Sequence, residues 1–179
     1  MSLDKQSLSP HRSICTYIMK FNSFLTTLLL AAFAAGCSNG VYFDDHSSIE
    51  NRWSKDEPVT FKVGIDDTSQ FYNIYFDLRV TKSYPYANAF FFIDTRFPDG
   101  SVAHDTLECP LADIEGRWYG KTSARYVDNR YFFRRATRFP MTGTYAFEIR
   151  HAMRDTLMTD IKNVGLRFEY ASINHDPLP

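Results

Sequence analysis

The residue with the most definite chemistry is Cys37, which closes the stretch Lys20–Cys37, KFNSFLTTLLLAAFAAGC. A positive charge, an apolar run from Phe24 to Phe33 and the small residues Ala34-Ala35-Gly36 together have the form of an export signal. The run is shorter than the about 20 apolar residues that a spanning helix needs. Small residues admit the chain to a signal peptidase cleft, and a cysteine at the cut offers its thiol to a diacylglyceryl group. Cys37 is therefore the expected lipidation site, although Ala34 stands where such signals usually carry Leu. The alternative is a plain secretory signal cut before an ordinary cysteine. Cleavage followed by acylation leaves more than one acyl chain on Cys37, enough for stable anchoring where a single chain is marginal.

A second constellation has binding character. Between Gly116 and Arg138 the chain holds Arg117, Lys121, Arg125, Arg130, Arg134, Arg135 and Arg138, with Asp128 as the sole acid, interleaved with Trp118, Tyr119, Tyr126 and Tyr131. Guanidinium groups fork onto anions and aromatic faces stack on sugars. Arg117, Trp118, Tyr119, Arg130, Arg134 and Arg135 are the candidate contacts for an acidic partner, a phosphate-bearing lipid head group or a glycan. The competing account is a solvated edge strand whose charges prevent edge-to-edge aggregation.

The other reactive residue types form no catalytic pattern. Glycoside hydrolysis needs two carboxyl groups about 5 to 9.5 Å apart, and a strand offset of three sends Asp105 and Glu108 to opposite faces. Asp113 and Glu115 flank a loop, where acids are ordinarily solvated. His104 beside Asp105 and His151 near Asp155 lack zinc-ligand spacing, and Asp66-Asp67 lacks the periodic oxygens of a calcium loop. With no nucleophile elbow or phosphate loop in the sequence, the expectation is a non-enzyme with no metal and no cofactor. Cys15 precedes the signal and Cys37 takes the lipid, so Cys109 has no disulfide partner and is expected to be a small buried hydrophobe.

The elements that must position these groups are strands. The 143 residues from Cys37 onward suit one domain. Three of the 20 Lys and Arg and one of the 21 Asp and Glu precede Cys37, leaving 17 against 20, a balance that argues against nucleic acid as the main partner. Apolar residues recur at every second position in Val59–Ile65, in Phe71–Thr81, and again at Tyr145, Phe147 and Ile149 and at Val164, Leu166, Phe168 and Tyr170. On Phe71–Thr81 the opposite face carries Asn73, Asp77 and Arg79, so that strand is half solvated or borders a polar site. Ala89–Phe97 is apolar enough for both faces to be covered. Pro98-Asp99-Gly100 is a hairpin turn leading into a return strand from Val102 to Leu107. Asp113–Lys121 is a structured loop, Asn129–Phe139 a strand, and Arg150–Ile161 the single helical candidate.

Seven or eight short strands with regular turn signals predict an all-β fold, an antiparallel β-sandwich of jelly-roll or immunoglobulin-like topology. Residues 1–18 are polar and out of character for a signal, so Met19 is the expected start and 1–18 a mis-assigned leader. Residues 19–36 are then the signal peptide and 37–55 a lipidated tether in which Val41-Tyr42-Phe43 is a possible short strand. The sandwich is expected over 56–172, and 173–179 as a frayed tail.

With these elements in place, the order Trp53, Tyr72-Asn73, Leu78-Arg79, Tyr84-Pro85-Tyr86, Phe97-Pro98-Asp99-Gly100 and Asp105-Thr106-Leu107-Glu108-Cys109-Pro110-Leu111-Ala112-Asp113 resembles the gliding-motility lipoprotein H (GldH) family of the Bacteroidota. Gly116-Arg117-Trp118-Tyr119-Gly120, Phe139-Pro140 with Gly143 and Tyr145, His151-Ala152-Met153-Arg154, and Val164-Gly165 agree with it. The resemblance runs from about Cys37 to Tyr170. It implies a lipoprotein on the periplasmic face of the outer membrane that helps the gliding apparatus assemble or persist, with other envelope, gliding or type IX secretion proteins as partners. It carries no catalytic residues across, and relatives in non-gliding species leave the host's physiology open. Ser38-Asn39-Gly40 after the anchor lacks the acidic run of a surface-export signal, which favours the periplasmic side. The alternative function is a carbohydrate-binding envelope lipoprotein, with Trp53 and Trp118, both outside alternating strands, as stacking platforms.

Overall fold

A computed structural model describes residues 40–50 and 52–171. The leader, the signal peptide, Cys37 and the C-terminal tail lie outside the described residues. Every regular element described is a strand: β1 (Val41–Ser48), β2 (Arg52–Ser54), β3 (Val59–Ile65), β4 (Tyr72–Thr81), β5 (Asn88–Arg96), β6 (Val102–Pro110), β7 (Lys121–Thr122), β8 (Tyr126–Thr137), β9 (Gly143–His151), β10 (Leu157–Thr159) and β11 (Ile161–Tyr170).

The long strands form two antiparallel sheets, ordered β1-β11-β4-β8-β7 and β3-β9-β5-β6, while β2 and β10 make a small ribbon. Numbered by themselves in chain order, the eight long strands run 1-8-3-6 in one sheet and 2-7-4-5 in the other. That order is the double Greek key of a jelly roll, which settles the choice between the two expected topologies. β2, β7 and β10, of two or three residues each, are additions to the seven or eight strands expected.

Alternation explains the layers. Tyr72, Ile74, Phe76, Leu78 and Val80 of β4, with Val164, Leu166 and Phe168 of neighbouring β11, point inward against Phe91 and Ile93 of β5 and Tyr145, Phe147 and Ile149 of β9. Removing such side chains from water contributes about 1.5 to 3 kcal/mol each before entropy is counted. Between the fourth and fifth jelly-roll strands, in the four-stranded sheet, Phe97 donates its N–H to Ser101 O at 2.8 Å and Gly100 donates to Phe97 O at 3.0 Å, closing the β5–β6 hairpin. Gly100 takes φ of 87°, as that turn requires.

Four expectations are corrected. β1 pairs with β11 in the sandwich and β2 with β10 in the ribbon, so the folded part already includes Val41–Ser48 and Arg52–Ser54 of the expected tether. Arg150–Ile161 is not a helix: β9 runs on to His151, Ala152 donates its N–H to Phe90 O at 2.7 Å, and Met158 pairs with Trp53 across the ribbon. β5 is covered on one face only, leaving Phe92 48% exposed on the other. Trp53 is in the core, 2% exposed, stacked on Phe91 with its indole N–H donated to Glu57 O at 2.8 Å. It offers no surface to a sugar.

Candidate interaction face

The outer face of the five-stranded sheet carries ordered rows of polar side chains, set by register. One row runs His46, Gly165, Asp77, Arg130 across β1, β11, β4 and β8. The next runs Asp44, Arg167, Tyr75, Phe132, and on the other side lie Ser48, Asn163, Arg79 and Asp128. Because side chains alternate along a strand, the apolar residues that build the core of β4 necessarily present Asp77 and Arg79 on this opposite face.

The charges on this face close on one another. Arg130 forks onto Asp77, Nε to Oδ1 at 2.7 Å and Nη2 to Oδ2 at 2.6 Å. Arg79 Nε donates to Asp128 Oδ1 at 2.5 Å. Arg167 donates to Glu169 at 2.7 Å and to Asp44. Asp77 holds the Arg130 guanidinium firmly protonated, and Asp128 does the same for Arg79. Beside these pairs Tyr75 and Phe132 lie with centroids 4.4 Å apart, and the Arg135 guanidinium sits 3.8 Å from the Phe132 centroid. A concavity of about 510 Å³ opens on this face, lined by His46, Asp77, Arg79, Asp128, Arg130 and Asn163 among others.

Asp44, His46 and Asp77 could offer one ligand atom each, all within 4.8 Å of one another. His46 Nε2 lies 3.1 Å from Asp44 Oδ1 and 4.0 Å from Asp77 Oδ2. Both carboxylates are already neutralised by Arg167 and Arg130, so guanidinium occupies the positions from which a metal would draw charge.

The residues singled out in the sequence fall in three places. Arg130 and Arg135 are on the outer face. The register shift between Ile74 and Tyr75 turns Arg134 to the flank of the sandwich, where its Nη2 reaches both oxygens of Asp105 at 2.8 and 2.7 Å. Arg117, Trp118 and Tyr119 lie on the loop after β6. There Asp113 accepts hydrogen bonds from the Arg117 backbone N–H at 2.9 Å and from its Nε at 2.7 Å. Those bonds hold the Asp113 carboxyl below the usual range. Trp118 is half-buried against the core, whereas Tyr119 is 64% exposed. No hydrogen bond or ion pair among the described residues joins Arg117 to Arg130, Arg134 or Arg135.

Asp44, His46, Asp128, Gly165 and Arg167 complete the face but were not singled out as contacts in the sequence. The only local sign was the polar side of β4. Cys109 is fully buried and has no disulfide partner among the described residues, and burial, with Glu108 nearby, pushes its thiol up.

A family model described as GldH lipoprotein matches residues 41–168, from the first residue of β1 almost to the end of β11. The chain belongs to the GldH lipoprotein family. It is 28% identical over 156 residues to the "Gliding motility lipoprotein GldH homolog" of Christiangramia forsetii, covering 83% of this chain and 95% of that protein. It is also 28% identical over 149 residues to "Gliding motility lipoprotein GldH" of Flavobacterium johnsoniae, covering 79% and 92%. Among solved structures, Eiger TNF from S. frugiperda aligns with 76% of this chain and 97% of its own at 11% identity and a TM-score of 0.25. That score leaves the GldH topology resting on this chain's own strand pairing.

Proposed function

We propose that this GldH-family lipoprotein is anchored through Cys37 in the outer membrane, facing the periplasm, and serves as a structural or assembly factor of the gliding apparatus. It acts through protein–protein contacts made by the outer face of the five-stranded sheet. The observation that carries this is the set of reciprocal pairs Asp44–Arg167, Asp77–Arg130 and Arg79–Asp128 on one face of four strands. Charges fixed by one another present a defined pattern to a partner at low ordering cost, and such patterns give specificity and register. Family membership and the relatives' names support the motility role. The carbohydrate alternative is weakened by its own residues, with Trp53 in the core and Trp118 half-buried.

Deleting the gene in a gliding host is expected to abolish colony spreading, and the wild-type gene restores it. Normal spreading in the deletant would overturn the motility role.

A further inference from the structure

Four strands end the two sheets of the sandwich, and three of them carry devices that discourage pairing with another chain. β1 has a register shift between Val41 and Phe43 followed by Asp44 and Asp45. β3 is preceded by Pro58 and presents Lys62, which is exposed. β7 covers β8 only at Val127 and Asp128, and beyond them β8 is broken by two register shifts, bears Arg134 and Arg135 and places Ala136 at φ of 43°. β6 differs. It pairs with β5 in unbroken register over all nine residues, with no lysine and no proline before Pro110. Its inward acid, Asp105, is neutralised by Arg134.

The unused backbone groups of β6 can be assigned. Phe97 N–H bonds to Ser101 O at one end of the pair and Leu111 N–H to Ala87 O, at 2.7 Å, at the other. Hydrogen-bonded and non-bonded positions alternate along an antiparallel pair, so the odd-numbered residues of β6 bond to β5. The N–H and C=O groups of Val102, His104, Thr106 and Glu108 therefore point away from the sheet.

We propose that β6 pairs antiparallel with β6 of a second copy of this chain, across a two-fold axis at Thr106, joining the two four-stranded sheets into one. In that register Thr106 meets Thr106 of the second copy, and His104 meets Glu108 in both directions, so each outward-pointing backbone group around the axis finds its complement. His104 is oriented for this: Asp94 Oδ1 holds its Nδ1 at 2.7 Å, while 74% of its side chain stays exposed. Glu108 is steadied by Asn88 Nδ2 at 3.1 Å. The neighbouring register centred on Asp105 would set two carboxylates directly opposite each other, which is disfavoured, and the one centred on His104 would set imidazole against imidazole and leave Glu108 unmatched. The pairing uses an edge strand of the four-stranded sheet and leaves the outer face of the five-stranded sheet free, so it is independent of the motility role.

The test is a cysteine scan of the full-length lipoprotein in native membranes, with mild oxidation and non-reducing electrophoresis. Thr106→Cys is expected to give a reducible dimer, stronger than His104→Cys or Glu108→Cys, while the β3 control Thr60→Cys gives none. In detergent, Glu108→Lys is expected to lower the dimer fraction by sedimentation, and the swap H104E/E108K to restore it. Thr106→Val, which keeps the backbone donor, should stay dimeric, and Thr106→Pro should be monomeric. No cross-link above the Thr60→Cys control, a maximum at another position, or a reducible band of some other mass would overturn the proposal.

Discussion

His46 lies across Gly165, with its ring in the place a side chain at residue 165 would fill. A Cβ built on Gly165 falls 2.0 Å from His46 Nδ1. The two residues are register partners on β1 and β11, and the missing side chain is what allows this edge-strand histidine to reach across β11 to within 4.0 Å of Asp77 on β4.

Gly165→Val should therefore alter the face without unfolding the domain. The obstructed atom is the end of a side chain that can swing into solvent, and valine suits a strand better than glycine. The thermal midpoint is expected within a few degrees of wild type. Nuclear magnetic resonance should show the His46 ring shifted and the Asp77 and Arg130 side-chain signals perturbed. A midpoint lowered by more than about 8 °C, the scale of a loss above 1 to 2 kcal/mol, would mean that backbone moves instead.

Asp77→Ala removes the acceptor of a bidentate pair whose carboxylate is only 12% exposed while Arg130 is 45% exposed. Partial exposure of the arginine limits the cost, and about 1 to 2 kcal/mol is expected by urea denaturation. Most of that loss should disappear when Arg130→Ala is added. A double mutant showing the sum of both single losses would deny the coupling.

Gly120→Ala is expected to be worse tolerated than Gly165→Val, because its Cβ would meet backbone: Asp128 O at 2.5 Å, with Asn129 Oδ1 at 2.3 Å. The loop carrying Trp118 and Tyr119 must then move off β8, at a cost of about 1 to 3 kcal/mol. Urea midpoints of Gly120→Ala and Gly116→Ala compare the two cases. Gly116 has open space around it, so its variant reports only the strain of φ at 79°.

His151 gives stability a dependence on pH. It is buried, its Nε2 donates to Trp53 O at 3.0 Å, and its Nδ1 has no partner among the described residues. Burial depresses its folded pKa. An unfolded histidine titrates near 6.5, so the unfolded state takes up the proton first as pH falls. This contribution is fully present above about pH 6.5 and is lost progressively below it. His151→Gln, which can still donate to Trp53 O, should lose less stability between pH 7.5 and 5.5 than wild type. Equal losses would remove His151 from the acid response.

What could be read from the sequence follows the range of the interactions. β4 was legible because Tyr72, Ile74, Phe76, Leu78 and Val80 alternate within one strand, and the β5–β6 hairpin because Pro98-Asp99-Gly100 is a local signal. Arg150–Ile161 misled because Met153, Leu157, Met158 and Ile161 recur at helical spacing. Yet Met158 is held by Trp53 about a hundred residues earlier, and Asp160 turns the chain at φ of 66°. The outer face was the least legible. Asp44, Asp77, Arg130 and Arg167 come from four strands far apart in the chain, and only the jelly-roll order sets them side by side. The six candidate contacts lie apart because Arg117, Trp118 and Tyr119 sit on the loop after β6 and a bulge turns Arg134 toward Asp105, away from Arg130 and Arg135.

The claim that the outer face makes the contact for motility is tested most directly by complementing a deletant of a gliding host with R79E/R130E, expressed as the lipidated protein at wild-type membrane abundance. Colony spreading is the measurement. Spreading is expected to stay lost while circular dichroism of the purified variant remains that of the folded sandwich. Spreading restored to the wild-type rate by that folded variant would contradict it.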